Sequence, residues 1–400
     1  MTPKGTTPST TIERLDRSPT YVEFLNNYLI NNRPVLIGKD LVESWPAFHL
    51  WTDDGDKNNI DWNHLVNAYG SQTVPVTNCR APSTDSCPEE ISLSKVVKGW
   101  LGAQHDITDK NYPLLYVKDW HLARWVSRDP STQPFYTTPY LFADDWLNHH
   151  YCTFTYDDFR FVYVGVQGTS TPFHKDVYDS YSWSTNVVGK KLWTFWTPED
   201  EARKQAGMKL VQGAGETVFV GWFHTVENLT ACISINHNWC NSVNLPSMYD
   251  AICSRIVDVE RELADVRQLL SSNAKNNEWE VEWMDIVQDV LEKDAGWNWA
   301  TFWHMVLHGL EGSIKAHSGD VAASSSAFPF APRNLQPPLV SVVENVKYCT
   351  EAFNRRQQEQ SRYELHLKIR HKVPGEEDLE TVRVVFDRIQ HVLNGCIIGK

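Results

Sequence analysis

Seven short runs of aromatic and β-branched residues lie between positions 112 and 238, and Gly, Pro or Asn separates them. They span 112–117, 159–167, 181–188, 191–197, 216–220, 225–229 and 232–238. Segments this short, punctuated by turn residues, predict the strands of a β-sandwich or barrel. Upstream, apolar residues recur at helical spacing from Tyr21 to Leu29 until Arg33-Pro34 stops them, and 35–37 reads as a buried strand. A second helix is predicted over 61–66, ended by Gly70, while 79–90 reads as a loop. Residues 73–77 read as an edge strand, because Pro75 cannot donate within a central ladder.

After Pro246 the pattern turns helical. Ile252, Ile256, Val259, Leu263, Val266 and Leu270 form one apolar stripe, which predicts a single long helix. Further helices are predicted over 279–293, 297–310, 340–358 and 376–395. The fold class expected is therefore mixed α+β, a β core with N-terminal flanking helices and an α-helical C-terminal region. Its boundaries are a flexible N-terminus at 1–18, flanking elements at 19–110 and the core at 111–245. An acidic helical region follows at 246–316, then a Ser/Ala/Pro-rich linker at 317–339 and a helical segment at 340–400. Seventeen Trp residues predict an aromatic-rich interior.

Charge and cysteine usage exclude several functions. The formal net charge is −13, and residues 251–300 alone hold 5 basic and 11 acidic side chains. No direct nucleic-acid partner is expected of such a polyanion. The acidic helices read instead as a solvated face or a docking surface for a basic protein. Equally, the C-terminal helices suit a homodimer contact or a cap on the barrel. The 8 Cys include no C-x-x-C pair, which argues against a zinc ribbon and for free intracellular thiols. The opening residues lack an apolar signal region and no run approaches a membrane span. A cytoplasmic location is expected, with the nucleus as a second compartment.

Phosphate-loop, dinucleotide, zincin and serine-hydrolase motifs are absent from the sequence. What remains is His174-Lys175-Asp176. Residues i and i+2 on a strand share a face, so an imidazole and a carboxylate can grip one ion there. A third ligand would complete a 2-His-1-carboxylate triad with open positions, the arrangement of non-heme Fe(II) oxygenases. Composition alone predicts about two such spacings by chance. Taken alone, the match reads better as an ordinary strand with a polar edge.

The neighbourhood changes this. Thr171-Pro172-Phe173 precedes His174, Lys191 follows in Gly189-Lys190-Lys191-Leu192-Trp193, and His224 closes Gly221-Trp222-Phe223-His224. With Arg33 to Ile37, Tyr116 to His121, Asp179 to Ser184 and Ser234 to Trp239, most of residues 20–245 resembles the JmjC family of Fe(II)/2-oxoglutarate oxygenases. The resemblance implies a cupin-type double-stranded β-helix using Fe(II), 2-oxoglutarate and O₂. It assigns His174, Asp176 and His224 to the metal, and Lys191, Thr171, Tyr116 and Asn238 to the 2-oxoglutarate cavity. For Tyr116 and Asn238 a plain core role is nearly as good a reading. No catalytic group separate from the metal centre is implied, and His149, His150 and His237 match no ligand position. His304 and His308, four apart on one helix, read as a packed surface rather than a zinc site.

Members most like this chain hydroxylate lysine in a translation termination release factor, so that is the substrate implied. Absence of a Cys/His zinc-reader pattern and the acidic charge favour hydroxylation over histone demethylation. One departure stands out: Val220 runs straight into Gly221, two residues short of the family's usual turn before the third ligand. Such a contraction preserves strand alternation, yet a shift of about 1 Å there would harm catalysis. The alternative is therefore a weakened cupin-like binding protein.

Overall fold

In the computed structural model of the chain, the residues described are 11–53, 56–81, 88–102, 113–129, 131–155, 157–200, 206–274, 278–319, 329–359, 363–372 and 379–398. They form two compact units. The first comprises Met1–Pro139, Phe159–Asp176 and Tyr181–Asn238, and the second Tyr140–Asp158, Val177–Ser180 and Trp239–Lys400. Positions 1–10 of the expected flexible N-terminus and 320–328 of the expected linker lie outside the described residues.

In chain order the first strands are β1 (Glu13–Leu15), β2 (Val35–Ile37), β3 (Thr52–Asp53), β4 (Asp56–Ile60), β5 (Thr73–Asn78), β6 (Glu89–Ser92) and β7 (Leu115–Trp120). There follow β8 (Arg160–Gly165), β9 (Ser170–His174), β10 (Tyr181–Val188) and β11 (Lys191–Trp196). The last of the unit are β12 (Met208–Gln212), β13 (Thr217–Val220), β14 (Phe223–Asn228) and β15 (Cys232–Trp239). Among the described residues, nine strands form a large sheet in the order β1-β2-β13-β10-β15-β8-β7-β5-β6, and four form a smaller one, β12-β11-β14-β9. Leu36, Val218 and Val220 of the large sheet meet Trp193, Phe195, Leu210 and Val226 of the small one in a single buried cluster. β10 is buried along its whole length, with Trp183 packed against Trp45 and Tyr181 against Phe219.

Two expectations about these strands need correction. β5 is not an edge strand: it pairs with β6 on one side and β7 on the other. Its pairing with β7 starts only at Val76, so Pro75 lies beyond the end of that ladder and leaves no gap in it. Residues 13–15, expected to be frayed, pair in parallel with β2. β12 was not foreseen, because a lone five-residue strand carries little periodicity. Its Gln212 is buried and accepts from the Trp193 indole at 2.8 Å, fixing a residue beside the site described below.

Helices α1 (Tyr21–Phe24), α2 (Ala47–Leu50), α3 (Trp62–Tyr69), α4 (Leu93–Gly102) and α5 (Leu122–Val126) belong to this first unit. Thr20 caps α1 in a reciprocal box with Glu23, and Asp61 caps α3 through the His64 amide.

The second unit is helical. It contains α6 (Trp146–Phe154), α7 (Leu245–Glu262), α8 (Ala264–Asn273), α9 (Glu278–Ala295), α10 (Trp299–Ser318), α11 (Leu339–Glu359), α12 (Tyr363–Lys368) and α13 (Val382–Ile398). Residues 140–158, expected in the β core, pack here instead. The Trp146 amide donates to the Cys240 carbonyl at 2.8 Å, and the Tyr151 hydroxyl to that of Gly296 at 2.6 Å. The single long helix expected over 252–270 breaks at Leu263, where φ −96° and ψ 18° leave the helical region. Ile252, Ile256 and Val259 are buried, whereas α8 buries no side chain fully, so packing does not hold the two in line. The aromatic interior lies in this unit as well as in the first. Trp303 meets Phe302, Phe353 and Phe386 with centroids 5.0–5.2 Å apart.

Among the described residues no helix is long and apolar enough to cross a membrane, and the seven described cysteines are free thiols. Asp144 is buried, which pushes its carboxyl up to about 7. The folded state thus holds a proton that the unfolded chain has already released between pH 4 and 7, so stability falls as pH rises through that window. Asp144→Asn is expected to flatten the fall, by up to about 4 kcal/mol at pH 7. Thermal melts of both proteins at pH 5 and pH 8 measure it; parallel losses would refute it.

Candidate metal centre

β9 and β14 are neighbours, and their register sets His174 directly opposite His224. Opposed residues of an antiparallel pair project from the same face. The two imidazoles accordingly lie with ring centroids 4.2 Å apart. Asp176 joins them from beyond the strand, for β9 ends at His174; the one-strand reading of the pair is thereby corrected. The ligand atoms of His174, Asp176 and His224 all lie within 4.8 Å of one another, with His174 Nε2 3.9 Å from Asp176 Oδ1.

The contracted turn does not carry His224 away from this group. Gly221 makes it feasible, because a methyl group there would overlap Asn32 and Tyr181.

Local backbone sets both rings. His174 Nδ1 is 2.8 Å from the Pro172 carbonyl, and His224 Nδ1 is 2.9 Å from that of Trp222. A carbonyl can only accept, so Nδ1 donates in each ring and Nε2 is the nitrogen left to face a metal. Burial, reinforced by His174, pushes His224 down to about 4, so its imidazole is in the neutral, ligating form near pH 7. Asp176 has a different anchor. The Ser182 hydroxyl, on β10 of the large sheet, donates to Asp176 Oδ2 at 2.7 Å and leaves Oδ1 beside His174.

Loss of an outer-shell hydrogen bond typically weakens a metal site by about 10–100-fold. Ser182→Ala is expected to lower Co(II) affinity by that factor while the melting temperature holds. Titration of the Co(II) absorption bands measures it, and unchanged affinity would show that Ser182 does not orient the carboxylate.

A cavity opens onto this group. Tyr116, Thr171, Lys191 and Asn238 line it together with the three potential ligands, so the structure brings all seven expected site residues to one place. Lys191 begins β11 and is only 2% exposed, whereas Lys190 is exposed. Its Nζ donates to the Ser234 hydroxyl at 2.6 Å, and among the described residues no carboxylate pairs with it. Burial pushes this ammonium down to about 8.

Ser182, Ser184, Tyr163, Trp193 and Asn236 also line the cavity and were not anticipated. Period-two alternation in Tyr181-Ser182-Trp183-Ser184 could have placed both serines on one face. The buried Ser184 hydroxyl has no hydrogen-bond partner among the described residues. His237 faces elsewhere: its Nε2 is 2.7 Å from the Tyr136 hydroxyl and its ring packs on Trp183. In the second unit, His149 Nδ1 is 2.9 Å from His308 Nε2, and His304 lies 3.7 Å from Glu380.

Two imidazoles and one carboxylate, converging beside a cavity, suit Fe(II). A buried cation without an anion and a buried hydroxyl without a partner suit an anionic co-substrate. The residues fit both groups.

No family model matches the chain. The mouse 2-oxoglutarate and iron-dependent oxygenase JMJD4 is 30% identical over 402 residues, covering 89% of this chain and 91% of the relative. The zebrafish protein of the same name is 32% identical, covering 73% and 72%. This chain belongs to the JmjC oxygenases of the JMJD4 type. Another JmjC relative, the Arabidopsis arginine-specific demethylase JMJ20, is 33% identical over 64% of the chain and 63% of its own length.

Proposed function

We propose that the protein is an Fe(II)- and 2-oxoglutarate-dependent hydroxylase acting on lysine in a translation termination release factor. The observation that carries the oxygenase part is the convergence of His174, Asp176 and His224, with both Nε2 atoms available, on the cavity that buries Lys191. Support also comes from the relatives, several of which are named 2-oxoglutarate and iron-dependent oxygenases. The two packed sheets are consistent with a double-stranded β-helix. Lysine and the release factor rest on the resemblance of this chain to hydroxylases of that type. A cytoplasmic location belongs to the same proposal and is supported by the free thiols.

When bound, Fe(II) and 2-oxoglutarate supply the oxidising chemistry: the co-substrate leaves as succinate and CO₂, and O₂ provides the oxygen. The protein positions these groups. His174, Asp176 and His224 would hold the ion. Lys191 presents a full positive charge to a carboxylate of the co-substrate, and Thr171 and Tyr116 add hydroxyls. Asn238 offers an amide to the same cavity. Trp183 and Trp193 give the cavity aromatic walls.

Aerobic incubation with Fe(II), ascorbate, 2-oxoglutarate and release-factor protein tests the proposal. Succinate should form, and a release-factor lysine should gain one oxygen atom. Release factor left as unmodified as with His174→Ala would remove the lysyl reading. Loss of methyl groups from methylated histone peptides instead would turn the assignment towards demethylation, the activity in the name of the Arabidopsis relative.

A further inference from the structure

The pairing of β7 with β8 shifts between Val117 and Trp120. Asp119 sits in this bulge with φ 56°, in the left-handed region, which non-glycine residues seldom occupy and Asp tolerates better than most. Bulges re-aim side chains, often next to active sites. Here the re-aimed carboxylate is exposed, and the Tyr163 hydroxyl donates to its Oδ1 at 2.7 Å. Among the described residues no cation forms an ion pair with it, so Oδ2 stays open to a ligand.

Tyr163 connects this carboxylate to the metal cavity, which it lines. Its phenol is pushed up first by burial and then by Asp119, and the Asp176 charge acts on it as well. The same phenol is thus within electrostatic reach of a potential metal ligand and of the exposed carboxylate. The cavity's buried positive charge, Lys191, is suited to the co-substrate. That leaves Asp119 as a negative group on the Tyr163 side, held in place and without a partner of opposite sign.

We propose that Asp119, aimed by the β7 bulge and held by Tyr163, is the specificity-determining carboxylate that receives a cationic side chain of the substrate. This deepens the lysyl reading above and rests on it. A lysine ammonium carries three donors and can take Oδ2 while Tyr163 keeps Oδ1. A neutral side chain gains nothing from the carboxylate, and an anionic one is repelled.

The test uses the full chain loaded with Mn(II) and 2-oxoglutarate. Pentapeptides Gly-Gly-X-Gly-Gly, with X lysine, norleucine or glutamate, are titrated in, and Mn(II)-induced broadening of the X side-chain proton signals reads their binding. Wild type should prefer lysine to norleucine by about tenfold, the worth of one charge-assisted hydrogen bond, and bind glutamate worst. Asp119→Asn keeps an acceptor for Tyr163 and a residue at home in the left-handed region. It should bring the lysine-to-norleucine ratio close to one. Taking a ratio within one preparation cancels any loss of fold or metal. A wild-type ratio of one, or a ratio that survives in Asp119→Asn, overturns the proposal. Mn(II) uptake, read from the free-ion electron paramagnetic resonance signal, separates the two levels. Failed uptake by wild type overturns the metal centre and this inference with it, while normal uptake without lysine preference overturns Asp119 alone.

Discussion

His224→Ala abolishes 2-oxoglutarate turnover, with succinate formation falling by more than about a hundredfold, beyond the upper end of what losing an outer-shell partner costs a metal site. The ring is buried, lies opposite His174 and has its Nδ1 committed to the Trp222 carbonyl. No neighbouring group can therefore take over its free nitrogen. Cobalt binding should fail in parallel, while the fold survives, because the lost ring leaves a gap beside Trp193 and Phe195 rather than an unpaired charge. Turnover equal to wild type would show that His224 is not a ligand, and that the two-residue contraction has cost the site its third arm.

Lys191→Met is the second large effect, and it should move affinity and stability in opposite directions. Removing one member of a desolvated charge pair costs about 2–5 kcal/mol, or roughly 30-fold to several thousandfold in 2-oxoglutarate affinity. In the ligand-free protein the buried ammonium lacks a carboxylate, so replacing it with an apolar chain of similar length should raise the melting temperature. The wild type carries a pH signature as well. Burial lowers the folded-state value to about 8, below that of the unfolded chain, so between the two values the folded protein holds fewer protons. Its ligand-free stability therefore rises with pH across that window. Binding an anion requires the cationic form, so 2-oxoglutarate affinity should be flat below pH 8 and fall up to about tenfold per unit above it. Calorimetric titration between pH 6.5 and 9.5 measures this, and a flat profile would exclude Lys191 as the anchor.

Much of the site was legible in the sequence because strand alternation and register turn spacing into geometry. His174 and His224 are 50 residues apart, yet antiparallel pairing sets them opposite each other. Lys191 and Lys190 are adjacent, yet Lys191 opens β11 and is buried, while Lys190 lies just before the strand and is exposed. Asp176 shows the limit of that reasoning, since it lies past the strand end and depends on a hydroxyl from another sheet. A serine bears no charge and no characteristic spacing, so neither Ser182 nor Ser184 stood out. β5 and the α7–α8 break escaped for a related reason. Whether a strand is interior or a helix stays straight depends on neighbours distant in sequence, and local propensity does not report them.

The different anchoring of the ligands bears on how such a site can change over evolutionary time. Both imidazoles are steered by main-chain carbonyls two residues upstream, and no side-chain replacement can remove a carbonyl. The orientation of the rings is thus insulated from mutation at neighbouring positions. The carboxylate has no such insulation, for a single nucleotide change at Ser182 can erase its hydroxyl partner. Drift in metal preference among descendants of this protein should therefore begin at position 182, before any ligand itself is replaced.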